Sequence, residues 1–337
     1  MSVDESGKHK PMKLYLYPSR SQNEFLALNK KALGELGYTV KPVNKAFIRD
    51  LLSMKKDAIV VLHWVEDRVY GRTYRTVFQY FFKMVALIIF AGIFAKKVIW
   101  VRHNFQPHNG SKTNYRYRFL CWLYKFMGIK AVSLEEYYST PALLHPLYKK
   151  DVQLQEEIDN PDIIEPEKSH LVVFFGAVKR YKNLHKILDT WPQHVPLKIA
   201  GRCSDQEYEK FLLKKIAQLG LNVVWDNVFL SDEALSDVLK NTRFVLLPHA
   251  DNTMISSGSF YHAIGEGCNV LTNSSRFGLA KSEQHGFVNI YDPNAMSEAY
   301  LTSIHQDRTK VMHDALSSYG QRQVLSAWRN VLAVSER

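Results

Sequence analysis

Short apolar runs alternate with longer helix-like stretches along the chain, and this alternation constrains the fold more than any other feature. In the first half, apolar runs at 13–17, 38–43, 58–62 and 98–101 are separated by stretches such as 23–36 that have helical periodicity. Several of the runs are rich in Val and Ile, which is typical of parallel strands buried on both faces. The pattern predicts a doubly wound α/β domain.

The second half repeats the pattern. Strands are predicted at 171–175, 197–200, 222–225, 244–247 and from 270, and helices from 183, at 205–219, at 232–240 and from 259. A length of 337 residues is sufficient for two domains that each bury a core. We therefore predict two Rossmann-like, doubly wound domains.

An acidic segment between the halves, 151–168, carries seven carboxylates and two prolines and is interpreted as the linker. The predicted divisions are a disordered amino terminus (1–11), a first domain (12–160), a second domain (161–305) and helices at 306–337 that pack back on the first domain. The start of the chain has no apolar signal segment, and three scattered cysteines form no disulfide framework. Both features favour the cytosol.

Positive charge is concentrated in one region. Lys and Arg number 44 against 33 Asp and Glu, a formal net charge of +11. Residues 68–130 contain no acid, and their twelve basic residues are Arg68, Arg72, Arg75, Lys83, Lys96, Lys97, Arg102, Lys112, Arg116, Arg118, Lys125 and Lys130. This region must present a strongly electropositive surface.

Apolar and aromatic residues accompany this charge. The stretch 77–95 is almost long enough to span a bilayer, but it lies between two predicted strands, where a crossover helix packs on the sheet. The stretch 114–127 interleaves basic and aromatic residues, as interfacial helices do. We predict that 68–130 docks on an anionic membrane; a membrane span, a buried crossover helix and a nucleic-acid surface are the alternatives, and no nucleic-acid-binding motif is present.

Two motifs in the second half suit a diphosphate. A glycine turn after the strand at 171–175 begins with Gly176 and brings three cations, Lys179, Arg180 and Lys182. Small residues then precede a predicted helix; they are Ser256, Ser257, Gly258 and Ser259. A helix start of this kind is an anion site, although a solvated basic loop and an ordinary N-cap are the structural alternatives.

These motifs, together with the strings Ile199-Ala-Gly201 and Val245-Leu-Leu-Pro248, resemble the donor-binding domain of GT-B glycosyltransferases over about 170–293. The resemblance implies two Rossmann-like domains that face a central cleft, and a nucleotide diphosphate held by the cations and serines named above. The sequence departs from the family at one point: Met254 and His262 occupy the positions of a glutamate pair that many retaining members carry. An inverting reaction is therefore expected.

Two polar strings in the first half, 62–67 and 101–108, each follow a predicted strand. They resemble acceptor-domain motifs of bacterial exopolysaccharide glycosyltransferases. An inverting transfer needs a general base, for which Glu66, Asp67 and His103 are the candidates. Hydrogen-bonded loop capping is the alternative for His63, His103 and His108, and helix capping or solvation for the two acids.

The resulting hypothesis is a metal-independent glycosyltransferase at the inner face of the plasma membrane, without a cofactor. Its donor would be a UDP- or GDP-linked sugar, and its acceptor a polyprenyl-diphosphate-linked glycan of a surface polysaccharide. A sugar-nucleotide epimerase on the same fold and a non-catalytic adaptor on a degenerate scaffold are the alternatives. An epimerase would need no acceptor, and an adaptor no intact nucleotide site.

Overall fold

The computed structural model describes residues 12–19, 23–53, 57–68, 74–105, 115–160, 170–249 and 254–333. The predicted disordered terminus 1–11, His108, and the parts of the basic region at 69–73 and 106–114 lie outside these residues. The chain forms two units: unit 1 comprises 1–146 and 321–337, and unit 2 comprises 147–320.

Unit 1 is built on five parallel strands in the order β2-β1-β3-β4-β5. The strands are β1 (Lys13–Tyr17), β2 (Thr39–Pro42), β3 (Ile59–His63), β4 (Lys97–Arg102) and β5 (Lys130–Ser133). The helices between them are α1 (Glu24–Glu35), α2 (Lys45–Ser53), α3 (Val65–Arg68), α4 (Tyr74–Phe94) and α5 (Tyr115–Phe126). The order of strands reverses between β1 and β3, which is where doubly wound sheets bind ligands.

Alternate residues of these strands enter two separate cores, one on each face of the sheet. Val60, Leu62 and Trp100 pack with α4 and α5. Val61 and Val101 pack on the opposite face with α1 and with the last helix of the chain. The three central strands β1, β3 and β4 therefore contribute to both cores, as expected for a sheet covered on both sides.

Unit 2 has six strands in the order β11-β10-β9-β6-β7-β8, and all of its paired strands are parallel. They are β6 (His170–Phe175), β7 (Leu197–Ala200), β8 (Val223–Asp226), β9 (Thr242–Leu247), β10 (Asn269–Thr272) and β11 (Val288–Ile290). The helices are α6 (Asp151–Asp159), α7 (Leu184–Leu188), α8 (Gln206–Gln218), α9 (Asp232–Lys240), α10 (Gly258–Gly265), α11 (Arg276–Gln284), α12 (Glu298–Ile304) and α13 (Arg308–Tyr319). The order of strands reverses between β6 and β9, the neighbouring strands that precede the two predicted diphosphate motifs.

The last helix, α14 (Gln321–Ala333), belongs to unit 1. Its Trp328 is fully buried and donates a hydrogen bond from Nε1 to Oδ1 of Asn29, at 2.7 Å. Both divisions therefore differ from the expected ones: the first falls at 146–147 rather than 160–161, and the second at 320–321 rather than 305–306. The acidic segment begins with α6, which packs on α13 inside unit 2, so its first part is not a linker.

Among the described residues, one helix is long and apolar enough to cross a membrane. It is α4, whose stretch Arg75–Phe94 has a mean hydropathy of 2.0. Met84, Ile88 and Ala91 lie on one stripe of this helix and are buried in the core beneath it. The helix thus packs on the sheet as the crossover between β3 and β4, while its opposite face is exposed.

Candidate functional site

The carboxyl ends of β6 and β9 lie side by side in unit 2, and both predicted diphosphate motifs start there. Gly176 follows β6 with φ of +86°, a left-handed conformation that favours glycine. Gly201, after the adjacent β7, is also required: a Cβ at this position would lie 2.0 Å from the Gly176 carbonyl oxygen. Glycines at both positions therefore allow the backbone segments that follow β6 and β7 to approach each other closely.

Lys182 points into this turn. Its side chain is only 8% exposed, and Nζ lies 5.3 Å from the centre of the Phe174 ring. A Cβ at Gly176 would be 3.4 Å from this ammonium, so the glycine leaves room beside it. No hydrogen bond or ion pair joins Nζ to any residue that the structure describes.

Burial, and secondarily the charge of Lys179, lowers the pKa of Lys182 to about 8. The ammonium is still mostly protonated at neutral pH, because this pKa remains above 7. A buried cation without a counter-charge is costly, and an anion at this position would remove the cost. Lys182 is thus the group at this edge that we expect an anion to stabilise most.

The other two cations of the motif do not converge on it. Lys179 and Arg180 are exposed. The Arg180 guanidinium donates from Nε to Oδ2 of Asp205, at 3.0 Å, and lies over the Tyr208 ring at 4.7 Å. The structure therefore separates the predicted group: Lys182 faces the turn, whereas Arg180 pairs with Asp205 at the start of α8.

The serine motif forms the start of α10, as predicted. Ser257 occupies the N-cap position, but its hydroxyl makes no capping hydrogen bond, and the buried Oγ has no partner within the described chain. Ser256 is also buried and donates to the Tyr261 hydroxyl at 3.4 Å; Ser259 is half-buried. Because the first N–H groups of a helix have no partner within the helix, the start of α10 offers donors to an anion.

The two motifs are linked by a ring contact between β6 and α10. The Phe175 and His262 rings lie 6.0 Å apart, and His262 also stacks on Tyr148 at 4.9 Å. His262 occupies the position of a family glutamate, and burial lowers its pKa, so the ring is neutral at pH 7. Met254, at the other glutamate position, is half-buried.

In unit 1, two histidines meet at the carboxyl ends of β3 and β4. Nδ1 of His63 lies 3.0 Å from Nε2 of His103, and both rings are buried. The Trp64 ring stacks on His103 at 4.2 Å, and the backbone of Trp64 has φ of +49°, a rare conformation for a bulky residue. Phe25 contacts both histidine rings edge-on. The candidate His103 therefore sits in an aromatic, tightly packed site.

The position of the protons follows from burial. Burial lowers the pKa of His63 to about 3, so this ring is neutral. Nε2 of His63 has no hydrogen-bond partner in the described chain. A buried N–H without an acceptor is rarer than an unused acceptor, which favours the tautomer in which His63 donates from Nδ1 to Nε2 of His103. His103 then carries its own proton on Nδ1.

Glu66, the first carboxylate candidate, lies on the other face of the sheet. One of its oxygens accepts a hydrogen bond from Nε1 of Trp100 at 3.3 Å, and the other has no partner in the described chain. Burial, and then the nearby Asp67, raises the pKa of Glu66 to about 7. Since Trp100 packs with α4 and α5 whereas His103 packs with α1, these two candidates do not form one catalytic group. Asp67 is half-buried and is the more accessible carboxylate.

Two residues near these groups were not selected from the sequence. Arg102 donates to the hydroxyls of Tyr117 and Tyr138 and to the Phe105 carbonyl, so it ties the end of β4 to α5. His145 is buried, contacts the Phe25 ring at 4.9 Å and donates from Nδ1 to the Pro146 carbonyl at 2.7 Å. Arg102 belongs to the polar string 101–108. His145 lies between two pairs of apolar residues, and no motif in the sequence indicates a role for it.

The exposed faces of α4 and α5 form one aromatic surface, here called the α4/α5 face. Its exposed rings are Phe78, Tyr80, Phe82, Tyr115, Phe119, Trp122 and Phe126. A ring contact between Phe81 and Phe119 at 5.7 Å joins the two helices. Exposed basic side chains on the same helices are Arg75, Lys83, Arg118 and Lys125. Within the described ranges, no group of three His, Cys, Asp or Glu residues is placed to hold a metal ion.

No protein-family model and no curated protein matches this chain. Solved structures do match over nearly its whole length. AviGT4, a glycosyltransferase involved in avilamycin A biosynthesis, is 15% identical with a TM-score of 0.55, and the match covers 96% of this chain and 99% of that chain. The N-terminal domain of Candida albicans trehalose-6-phosphate phosphatase is 10% identical with a TM-score of 0.58, covering 100% and 99%.

An E. coli trehalose-6-phosphate structure bound with UDP-2-fluoro glucose is 9% identical with a TM-score of 0.52, and the match covers 96% of this chain and 100% of that chain. At such identities the likeness concerns the fold. The predicted fold class is confirmed: this chain is an α/β protein with two parallel Rossmann-like sheets, matching GT-B structures.

Proposed function

We propose that this protein is a glycosyltransferase that takes a sugar from a UDP- or GDP-linked donor. The observation that carries the proposal is the buried Lys182 ammonium, which has no counter-charge in the described chain and lies beside the Gly176 turn. A diphosphate at this position would provide the counter-charge. Two of the structures with this fold support the assignment, since one is a glycosyltransferase and another is bound with UDP-2-fluoro glucose.

The chemistry assigned to unit 2 is stabilisation of the leaving group. As the bond from the sugar to the diphosphate breaks, negative charge increases on the diphosphate oxygens, and the Lys182 ammonium and the donors at the start of α10 stabilise it. These groups are protein cations and dipoles, so we propose a reaction that needs no cofactor or metal. A general base in unit 1 would take the proton of the acceptor hydroxyl, and the accessible Asp67 suits this role better than the buried Glu66.

We further propose a lipid-linked acceptor, such as a polyprenyl-diphosphate glycan of a bacterial surface polysaccharide, with inversion at the anomeric carbon. The α4/α5 face supports a membrane-bound acceptor. Phe126 is 71% exposed and Trp122 is 55% exposed, and the surrounding charges are basic. Aromatic and cationic side chains together suit the headgroup layer of an anionic membrane, so the protein would be peripheral at the inner face of the plasma membrane.

Calorimetric titration of the purified chain with UDP, GDP and their sugar conjugates tests the donor. Selective binding of one nucleotide would identify the donor class. Incubation of that sugar nucleotide without an acceptor separates transfer from epimerisation, because an epimerase changes the sugar nucleotide alone. A folded protein that binds none of these nucleotides would contradict the proposal.

Flotation with anionic vesicles tests the membrane surface. The double variant Trp122→Ala, Phe126→Ala should lose at least tenfold in vesicle binding, since each large ring contributes about 1–2 kcal/mol when it is buried. Phe229→Ala is the matched control, because Phe229 is 84% exposed on unit 2 and lies outside the α4/α5 face. Equal binding of the double variant and the control would exclude the α4/α5 face as the docking surface.

A further inference from the structure

A second unpaired cation lies at the opposite edge of the unit 2 sheet. Arg243 is the second residue of β9, and its side chain is only 8% exposed. No hydrogen bond or ion pair joins its guanidinium to the part of the chain that the structure describes, and its buried Nε has no partner there. The neighbouring Arg308 differs, because it donates to the Lys240 carbonyl at 2.9 Å and pairs with Glu266 at 3.5 Å.

Burial of an uncompensated guanidinium is unfavourable, and arginine cannot avoid the cost by losing its proton. A lysine in the same place would respond through a lowered pKa, as Lys182 does. Arg243 instead keeps its charge, so an acceptor from outside the described chain would lower this cost. Its planar fork of N–H donors matches the oxygens of a phosphate or a carboxylate.

The guanidinium borders a small cavity at the amino-terminal end of β9. Three other basic side chains line the cavity, and they are Lys240, His305 and Arg308. None of the described lining residues is Asp or Glu. The volume, about 10 Å³, admits one water-sized group, such as a single oxygen of a larger anion whose remainder lies at the mouth.

Glycine helps to open this space. Gly267 also lines the cavity, and a Cβ at this position would lie 2.3 Å from Cγ of Arg308. The backbone of Gly267 has φ of +76°, so both the conformation and the space require glycine here. The cavity therefore depends on the sequence of the α10 to β10 turn and does not result from loose packing alone.

We propose that this cavity is an oxyanion site that binds phosphate, or the phosphoryl group of a small phosphorylated molecule, through Arg243 with Lys240. It is distinct from the Lys182 site, because the two lie at opposite ends of neighbouring strands. Five residue steps along β9 separate the two edges by roughly 17 Å. A bound phosphoryl group would stabilise unit 2 without occupying the donor site.

Thermal unfolding of the full chain tests this proposal, and Lys182→Ala serves as the background so that the donor site does not contribute. Inorganic phosphate and a hexose phosphate are titrated in separate arms at constant ionic strength, with chloride as the balancing anion. A concentration ten times the Kd should raise Tm by roughly 3–6 °C. A response to the hexose phosphate alone would assign the site to a phosphorylated molecule, and a response to both would assign it to the phosphoryl group.

Arg243→Met should abolish the response and should still fold, because it replaces an unpaired buried charge with an apolar chain of similar length. Arg243→Lys keeps the charge but lacks the planar set of N–H donors of the guanidinium. This variant should bind phosphate at least several-fold more weakly. Arg202→Met is the matched control, since Arg202 is exposed in unit 2. An unchanged phosphate response in Arg243→Met, or an equal response to chloride alone, would overturn the proposal.

Discussion

The carboxyl edges of the two sheets differ in how their buried polar groups are paired. In unit 2, Lys182 and the Ser257 hydroxyl are left without partners in the described chain, and the cation remains charged. In unit 1, His63 and His103 pair with each other, and Trp100 donates to Glu66. The first edge holds a cation without a counter-charge, whereas at the second edge His63, His103 and Glu66 each make a hydrogen bond within the protein, and one nitrogen of His63 and one oxygen of Glu66 have no partner in the described chain.

This contrast indicates different ligands. Unpaired charge at one edge suits an anion that binds by compensating it. An aromatic edge whose buried histidines pair with each other suits an uncharged group, such as a sugar hydroxyl, that binds through ring contacts and single hydrogen bonds. The following predictions test whether the two edges really differ in charge and in their need for a ligand.

The largest expected effect concerns the neutrality of Glu66. Burial raises its pKa from about 4.5 to about 7. Below pH 4.5 both the folded and unfolded states hold the proton, but between pH 4.5 and 7 only the unfolded state releases it, so the folded state loses stability. The Glu66→Gln side chain cannot ionise. The free energy of unfolding of this variant should therefore be about 3 kcal/mol higher than that of the wild type at pH 8 and equal to it at pH 4.

Urea unfolding at several pH values measures this difference. Glu156→Gln is the control, because Glu156 is exposed on α6 and the substitution should leave the pH dependence unchanged. A constant difference between Glu66→Gln and the wild type across this range would show that Glu66 is not buried in its neutral form.

The next effect tests the unsatisfied edge. Lys182→Ala should weaken binding of the preferred nucleoside diphosphate by about 2 kcal/mol, roughly thirtyfold, because a charge-assisted contact to the diphosphate is lost. Without ligand, the variant should be no less stable than the wild type, since an unpaired buried charge is removed. Lys186→Ala, an exposed lysine on α7, is the control for net charge. Equal nucleotide affinity in both variants would remove Lys182 from the donor site.

A smaller effect distinguishes the two nitrogens of His103. If the ring proton lies on Nδ1, the amide N–H of an Asn side chain can take the place of this donor. The amide of a Gln side chain instead reaches the position of Nε2. His103→Asn should then retain roughly tenfold more transferase activity than His103→Gln, about the value of one hydrogen bond. The ¹⁵N shifts of the His103 ring report the tautomer independently of activity, and a proton on Nε2 would contradict the assignment from burial.

The smallest predicted effect is at Ser257. Ser257→Ala should reduce nucleotide affinity about fivefold, the value of one neutral hydrogen bond, and should leave the stability of the ligand-free protein unchanged. The stability should not fall because the hydroxyl caps no helix N–H. Ser231→Ala is the contrasting control: Ser231 does cap α9, so this variant should lose about 1 kcal/mol of stability and retain its nucleotide affinity.

Local pattern was sufficient to predict the sheets and the position of the two motifs that we propose bind a diphosphate. The predicted strand at 171–175 is observed as His170–Phe175, and the predicted helix at 205–219 as α8 (Gln206–Gln218). The carboxyl ends of parallel strands lie at the same edge of a sheet. Because β6 and β9 are neighbours, the turn after β6 and the start of the helix after β9 lie close together.

Pairings distant in sequence were not predictable in this way. The Arg180 partner Asp205 lies 25 residues away, and nothing in the basic turn shows which cation faces inward. The backbone of Trp64, directly after β3, has a positive φ, and Glu66 then pairs with Trp100 on the face of the sheet opposite His103. The return of α14 to unit 1 involves contacts between residues far apart in sequence, such as Asn29 and Trp328, which are 299 residues apart.

The return of α14 to unit 1 has a consequence for synthesis on the ribosome. Val324, Trp328 and Val331 belong to one core of unit 1, so the core nearest α1 is incomplete until α14 leaves the exit tunnel. Unit 2 is continuous from 147 to 320 and has all its strands available earlier. We therefore expect unit 2 to complete its fold before unit 1, although most of unit 1 is synthesised first. Until α14 is available, one face of the unit 1 sheet stays partly uncovered.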